Sequence, residues 1–201
     1  MKNINIAILT FDGFNELDSI IAFGILNRMK EYGFDVQITS PTKTVTSMNG
    51  LTIEAQQQLE FANSADVVLF GSGLKTRDIA KDKTILSRLS LDKEKQLIVG
   101  QCSGTLLMSV LGILEDIPAC TDLITKPWVV ESGAEVLDQA FFAKGNIATA
   151  GGCLSSKYLA TWIIAKLLGK EKASEAIYYV APVGRKEQEI KECLETIESY
   201  L

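Results

Sequence analysis

The stretch that decides the fold is "IVGQCSGTLLM", residues 98–108. A short apolar run ends at Gly100, Cys102 and two small residues follow, and an apolar helical pattern begins. An unbroken apolar run reads as a strand covered on both faces. The segment "SGTLLMSVLGIL" (103–114) is apolar nearly all round, so it reads as a buried helix. The turn between strand and helix lifts Cys102 above the end of a sheet. Gly100 and Gly104 leave room for close backbone contacts there. In outline, G-Q-C-S-G is a G-x-S-x-G nucleophile elbow with cysteine in place of serine.

Outward from the elbow, strand-like and helix-like segments alternate. "INIAILTF" (4–11) is a first strand, broken by "DGFN". Leu17, Ile20, Ile21, Gly24, Ile25 and Arg28 then form a mostly apolar helical stripe, and Gly33 supplies a C-cap. "DVQITS" (35–40) is a second strand. "TVTSMNGLTIEA" (44–55) places Asn-Gly between two alternating runs, a hairpin signal. "ADVVLFGSG" (65–73) and "QLIVGQ" (96–101) are buried strands flanking a helix over 76–90. "AEVLD" (134–138) and "GNIATA" (145–150) read as short strands, and 155–169 as a helix ending at Gly169. In the tail, Ile190, Cys193, Leu194, Ile197 and Leu201 share the apolar face of an amphipathic helix. Such alternation predicts an α/β sandwich with a mainly parallel sheet, in one domain over 1–201.

Composition narrows the function classes. The net charge of −5 comes with no basic cluster, which argues against a nucleic-acid partner. No run approaches the roughly 20 apolar residues of a membrane span. The N-terminus reads as a strand and not a signal peptide, so a cytoplasmic setting is expected. Cys102, Cys120, Cys153 and Cys193 are irregularly spaced, and the chain contains no histidine. Zinc and disulfides are therefore not expected, and no metal or cofactor is predicted. Cys120, Cys153 and Cys193 read as small buried hydrophobes.

Ligands of open α/β sheets bind beyond the carboxyl ends of the strands. Three such loops carry polar or glycine residues: "FDGFNELD" (11–18), "FGSG" (70–73) and "GQCSG" (100–104). A helix start lowers the pKa of a thiol, and the Ser103 amide is placed to bind an oxyanion. The competing reading of Cys102 is a buried structural cysteine at a turn.

The pieces "IAILTFDGFNELD", "ADVVLFGSG", "IVGQCSGTLLMSVLGIL" and "NIATAGGCLSSKYLATWIIAKLLG" run in order over about residues 4–169. Together they resemble the ThiJ/PfpI superfamily, which includes the parkinsonism-associated deglycase and the bacterial isonitrile hydratases. The resemblance implies a flavodoxin-like three-layer sandwich and commonly a homodimer, acting on a small-molecule substrate. Asp18 takes the place of the acidic residue that hydrogen-bonds the elbow cysteine. "GFNELD" matches the "xxLD" of the hydratase branch more closely than the glutamate of the deglycase branch. Glu16 lies about 200° away on a helix and reads as a solvated first-turn acid. Gly71 takes the place of the residue whose amide completes the oxyanion hole. Ser72 stands where the family has a second glycine, and Ser103 where the hydratases usually have threonine. Asp122, in "ACTDLI", stands where members often carry a histidine.

Without histidine a Cys–His dyad cannot form within one chain, which weighs against protease and deglycase chemistry. Isonitrile hydration demands less. The expected roles are Cys102 as nucleophile and a protonated Asp18 as donor, then as base for water. The Gly71 and Ser103 amides are expected to polarise the substrate. The alternative is a redox-responsive, small-ligand-binding or regulatory protein without turnover. In that setting Cys153 could act as a second thiol at the same sheet edge.

Overall fold

The computed structural model describes residues 3–201. From β1 (Ile4–Leu9) the chain enters α1 (Glu16–Leu26), where the Asn15 side chain caps the first turn by accepting the Leu17 amide. A 3-10 segment closes at Gly33, φ 95°, the left-handed cap anticipated there. The chain continues through β2 (Phe34–Ser40) to the hairpin β3 (Thr44–Thr46) and β4 (Thr52–Glu54). Next come β5 (Gln57–Gln58), β6 (Val67–Phe70), α2 (Thr76–Ile79), α3 (Lys83–Leu86) and β7 (Leu97–Gln101). After the elbow come α4 (Gly104–Val110), α5 (Lys126–Glu131), and the antiparallel pair β8 (Phe141–Lys144) and β9 (Ile147–Ala150). Three helices finish the chain: α6 (Ser156–Leu168), α7 (Lys170–Val180) and α8 (Lys186–Ile197).

The main sheet runs β5-β2-β1-β6-β7-β9-β8, parallel except for β8 against β9. Its strands alternate their side chains between two cores. Ile6, Ile8, Val67, Leu69 and Val99 face a layer built by α1, α6, α7 and α8, with Trp162 fully buried in it. Ala7, Leu9, Val68, Phe70 and Ile98 face α2, α4 and α5 on the other side. The result is the expected three-layer, mainly parallel α/β sandwich. Chain order reverses at β1, since β2 lies on one side of it and β6 on the other, which opens a crevice at the carboxyl ends.

Several local expectations change. The buried face of α1 is Asp18, Ser19, Ala22, Ile25 and Leu26. Of the anticipated stripe only Ile25 is buried, and Leu17 is 48% exposed. Because α1 is apolar on more than one face, periodicity alone could not choose the inward one. Polar bonds chose it instead: Asp18 accepts from Ser72, and Ser19 from Thr10 at 3.4 Å. The helix expected over 76–90 is two short ones, because Asp82 accepts the Thr84 and Ile85 amides and starts a new helix. Residues 134–138 form no strand, only a bridge from Val136 to Ala119. The elbow helix stops at Val110, and α8 stops at Ile197, before the exposed Leu201. Strand β8 and helix α7 lie in stretches where no element was anticipated.

Candidate active site

Cys102 has a φ of 48°, a conformation uncommon for a residue with a side chain. The surroundings hold it there. Its N–H donates to Ala150 O at 2.8 Å, while its carbonyl accepts from Thr121 Oγ1 at 2.8 Å and from the Thr105 amide at 3.2 Å. The sequence around it permits the tight turn. A Cβ at Gly104 would lie 2.2 Å from Phe70 O, and one at Gly100 would lie 2.5 Å from Met108 Sδ. The turn is a nucleophile elbow in geometry as well as in sequence, and strain of this kind clusters at functional sites.

Four strand ends converge on the cysteine. Asp18 is fully buried at the start of α1, after β1. Ser72, after β6, donates its hydroxyl to Asp18 Oδ2 in a short bond. Asp18 Oδ1 is buried with no hydrogen-bond partner among the described residues. Cys153 follows β9. A carboxylate oxygen of Asp18 and the sulfurs of Cys102 and Cys153 all lie within 4.8 Å of one another. Each sulfur also has its own amide donor: Gln101 Nε2 is 3.3 Å from Cys102 Sγ, and Asn15 Nδ2 is 3.3 Å from Cys153 Sγ. Gln101 Nε2 further ties to Gly152 O at 2.9 Å, linking the ends of β7 and β9. Two thiols and a carboxylate are the only such metal-capable trio among the described residues, a donor set suited to a soft thiophilic ion.

Burial sets the electrostatics. It pushes the Asp18 carboxyl above its ordinary 3.8, against the opposing Ser72 hydrogen bond. Burial and then the Asp18 charge push the Cys102 thiol far above its ordinary 9.0, against the Gln101 donor. Cys153 moves up for the same two reasons, opposed by Asn15. All three groups therefore hold their protons more tightly than they would in water. A raised Asp18 is in the direction of the expected proton donor, whereas the raised Cys102 thiol departs from the thiolate expected beside it. Desolvation and a neighbouring anion outweigh the short helix start.

Other anticipated residues find different work. The Gly71 amide donates to Leu9 O at 3.0 Å, extending the β1–β6 ladder, so it is not free for an oxyanion. The amides of Ser72 and Ser103 have no hydrogen-bond acceptor among the described residues and are the available pair. The Ser103 hydroxyl bonds Thr76 Oγ1 at 2.8 Å and accepts the Gly73 amide at 3.2 Å, bracing one loop against the other. Asp122 Oδ1 accepts the Ile124 and Thr125 amides ahead of α5. Glu16 is not simply solvated: it accepts from Ser47 in a short bond and from Asn49 at 2.8 Å, anchoring the hairpin. Cys120 and Cys193 are fully buried, as read from sequence, whereas Cys153 is partly exposed. Sequence reasoning missed the parts of Gln101 and Asn15, whose only signal was a position beside the elbow or at a helix start.

A flavodoxin-like α/β sandwich with cysteine on its elbow and an acid from the first helix defines the class. The sequence model of the DJ-1/PfpI family matches residues 4–166, and the chain belongs to that family. DJ-1 of Schizosaccharomyces pombe superposes with a TM-score of 0.75 at 15% identity, covering 89% of this chain and 100% of that one. Drosophila melanogaster DJ-1beta gives 0.75 at 21% identity, with coverage of 89% and 97%. A ThiJ/PfpI family protein of Pseudomonas syringae gives 0.77 at 18% identity, with coverage of 98% and 87%. No curated protein matches the chain. No helix among the described residues is long and apolar enough to cross a membrane.

Proposed function

We propose that the chain is a thiol-dependent catalyst acting on a small electrophile, with an isonitrile as the substrate class. The observation that carries this reading is the Asp18 carboxylate within 4.8 Å of Cys102 Sγ on a strained elbow. The Cys102 sulfur bonds to the terminal carbon of R–N≡C as Asp18 takes the thiol proton. Asp18 returns that proton to the same carbon, leaving R–N=CH–S–Cys102. Water, deprotonated by Asp18, adds to the carbon. Nitrogen gains a proton, the C–S bond breaks, and R–NH–CHO leaves with the thiol restored. The chemistry needs one base and no histidine, which this chain lacks. The free Ser72 and Ser103 amides supply the polarising donors.

Formamide production from a small alkyl isonitrile, followed by NMR, tests the reading. Cys102→Ala abolishes turnover, and Asp18→Asn lowers kcat by about 10²–10⁴-fold, the usual range for a general acid–base. Unchanged turnover in Asp18→Asn would overturn the assigned role.

We also propose that the chain works as a homodimer. A groove of about 670 Å³ lies between α1 and α7, with Ile20, Leu154, Tyr179 and Val180 at its walls. Those four side chains are 37–70% exposed, a large apolar surface for a second copy to cover. Sedimentation of the wild type and of Ile20→Glu tests it, the variant being expected to sediment as a monomer.

A further inference from the structure

We infer that Cys102 and Cys153 form a reversible dithiol–disulfide pair, closed by a hydroperoxide and served by Asp18 as proton carrier. This redox site is separate from the choice of carbon electrophile. The two sulfurs come from neighbouring strand ends, since β7 pairs directly with β9. They already lie within 4.8 Å of each other. Each receives an amide N–H, from Gln101 and from Asn15, and such donors favour negative charge on sulfur. The Asp18 carboxylate beside them keeps a buried Oδ1 without a hydrogen-bond partner among the described residues. Cys120 and Cys193 are fully buried, but neither belongs to such a thiol–carboxylate cluster among the described residues.

The two cysteines are not equivalent. Cys102 is 3% exposed and its backbone is bonded on both sides, so it is the less open of the two and sits on the more firmly held turn. Cys153 is partly exposed and opens a 3-10 turn behind Gly151 and Gly152, the latter at φ 89°. Cys153 is therefore the sulfur that meets the oxidant and the one that swings. Bond formation needs the sulfurs to close to about 2.05 Å, a movement of side-chain rotation and a small shift of this turn.

The steps balance. The Cys153 sulfur attacks the terminal oxygen of ROOH, the O–O bond breaks, and ROH leaves with the thiol proton, giving Cys153–SOH. Sulfur is oxidised and the peroxide reduced. The Cys102 sulfur then attacks the sulfenic sulfur while Asp18 takes its proton. The S–O bond breaks, Asp18 passes the proton to the departing hydroxide, and the products are the disulfide and water. A dithiol reductant attacks the disulfide by exchange, leaves as its own disulfide, and restores both cysteine thiols.

The test treats the reduced full chain with hydrogen peroxide, alkylates the remaining thiols, and measures intact mass and non-reduced peptides. The expected product lacks two hydrogens, joins the peptides carrying Cys102 and Cys153, and reverts with dithiothreitol. Cys102→Ser is expected to hold the sulfenic acid at Cys153, where dimedone labels it. Wild-type protein that gains two oxygens on Cys102 while Cys153 stays alkylatable overturns the inference. So does a dimedone label that never falls on Cys153 in Cys102→Ser. The mass readout on wild type needs no variant to fold and no isonitrile. Loss of this pair with turnover intact therefore refutes the redox site alone, and the converse refutes the hydratase reading alone.

Discussion

Ser72 donates its hydroxyl to one oxygen of Asp18 and leaves the other oxygen buried and unpaired at the elbow. This bond stabilises the charged form of a carboxyl that burial otherwise pushes toward neutrality. Ser72→Ala removes it and leaves a desolvated acceptor. The expected cost is about 1.5–3 kcal/mol, the range for hydrogen bonds to charged groups. Urea unfolding at neutral pH checks the magnitude. The Asp18 pKa also rises, so the acid limb of any activity that needs ionised Asp18 moves to higher pH.

The raised Asp18 pKa gives stability a definite slope. Below 3.8, the carboxyl's ordinary value, both folded and unfolded chains hold the proton and no penalty arises. Above it the unfolded chain loses the proton while the native site retains it, so native stability falls with rising pH through the window up to the folded value. The slope approaches about 1.4 kcal/mol per pH unit for one proton. Exposed carboxylates such as Asp12 and Glu60 are shifted downward and contribute the opposite slope. The difference between wild type and Asp18→Asn therefore isolates the buried group. Urea midpoints across pH 3 to 8 are expected to show the variant gaining on wild type as pH rises.

What could be read from the sequence divides along local and distant chemistry. The elbow was legible because strand, glycines, cysteine and buried helix sit in one continuous stretch, and the left-handed Gly33 cap was legible for the same reason. The orientation of α1 was not, since two of its faces are apolar and its inward choice depends on Ser72, 54 positions from Asp18. The pairing of Asn15 with Cys153 spans 138 positions and no periodicity reports it. Gly71 was placed by position in the chain, but only the β1–β6 register shows that its amide is already used. The thiol pKa likewise turned on burial and on a carboxylate from another strand end, which outweighed the local helix start.

Gln101 is the residue next to the nucleophile, and its side chain donates both to Cys102 Sγ and to Gly152 O. Replacement by leucine keeps the bulk and removes both bonds. The thiol then rises further from its ordinary value. Alkylation of Cys102 by iodoacetamide is expected to slow about tenfold for each unit of that rise, because only the thiolate reacts. Cys153, with its own donor in Asn15, is expected to keep its rate and serves as the internal reference. Peptide mapping of a timed alkylation checks both cysteines in one experiment.

Asp122 separates a capping role from a charge role. Its Oδ1 accepts the Ile124 amide at 3.0 Å and the Thr125 amide at 2.9 Å, holding the turn into α5. Its charge also adds a small upward push on Asp18. Asp122→Ala loses both effects, with an expected cost of about 1 kcal/mol, as for other side-chain caps. Asp122→Asn keeps the accepting oxygen and loses only the charge. It is expected to unfold at nearly the wild-type urea midpoint, while the pH at which Asp18 titrates moves down in both variants. A catalytic stand-in for histidine would behave differently: turnover would collapse in both variants, whatever their stability. Comparing midpoints with isonitrile turnover for the two variants therefore decides whether Asp122 shapes the loop or takes part in the reaction.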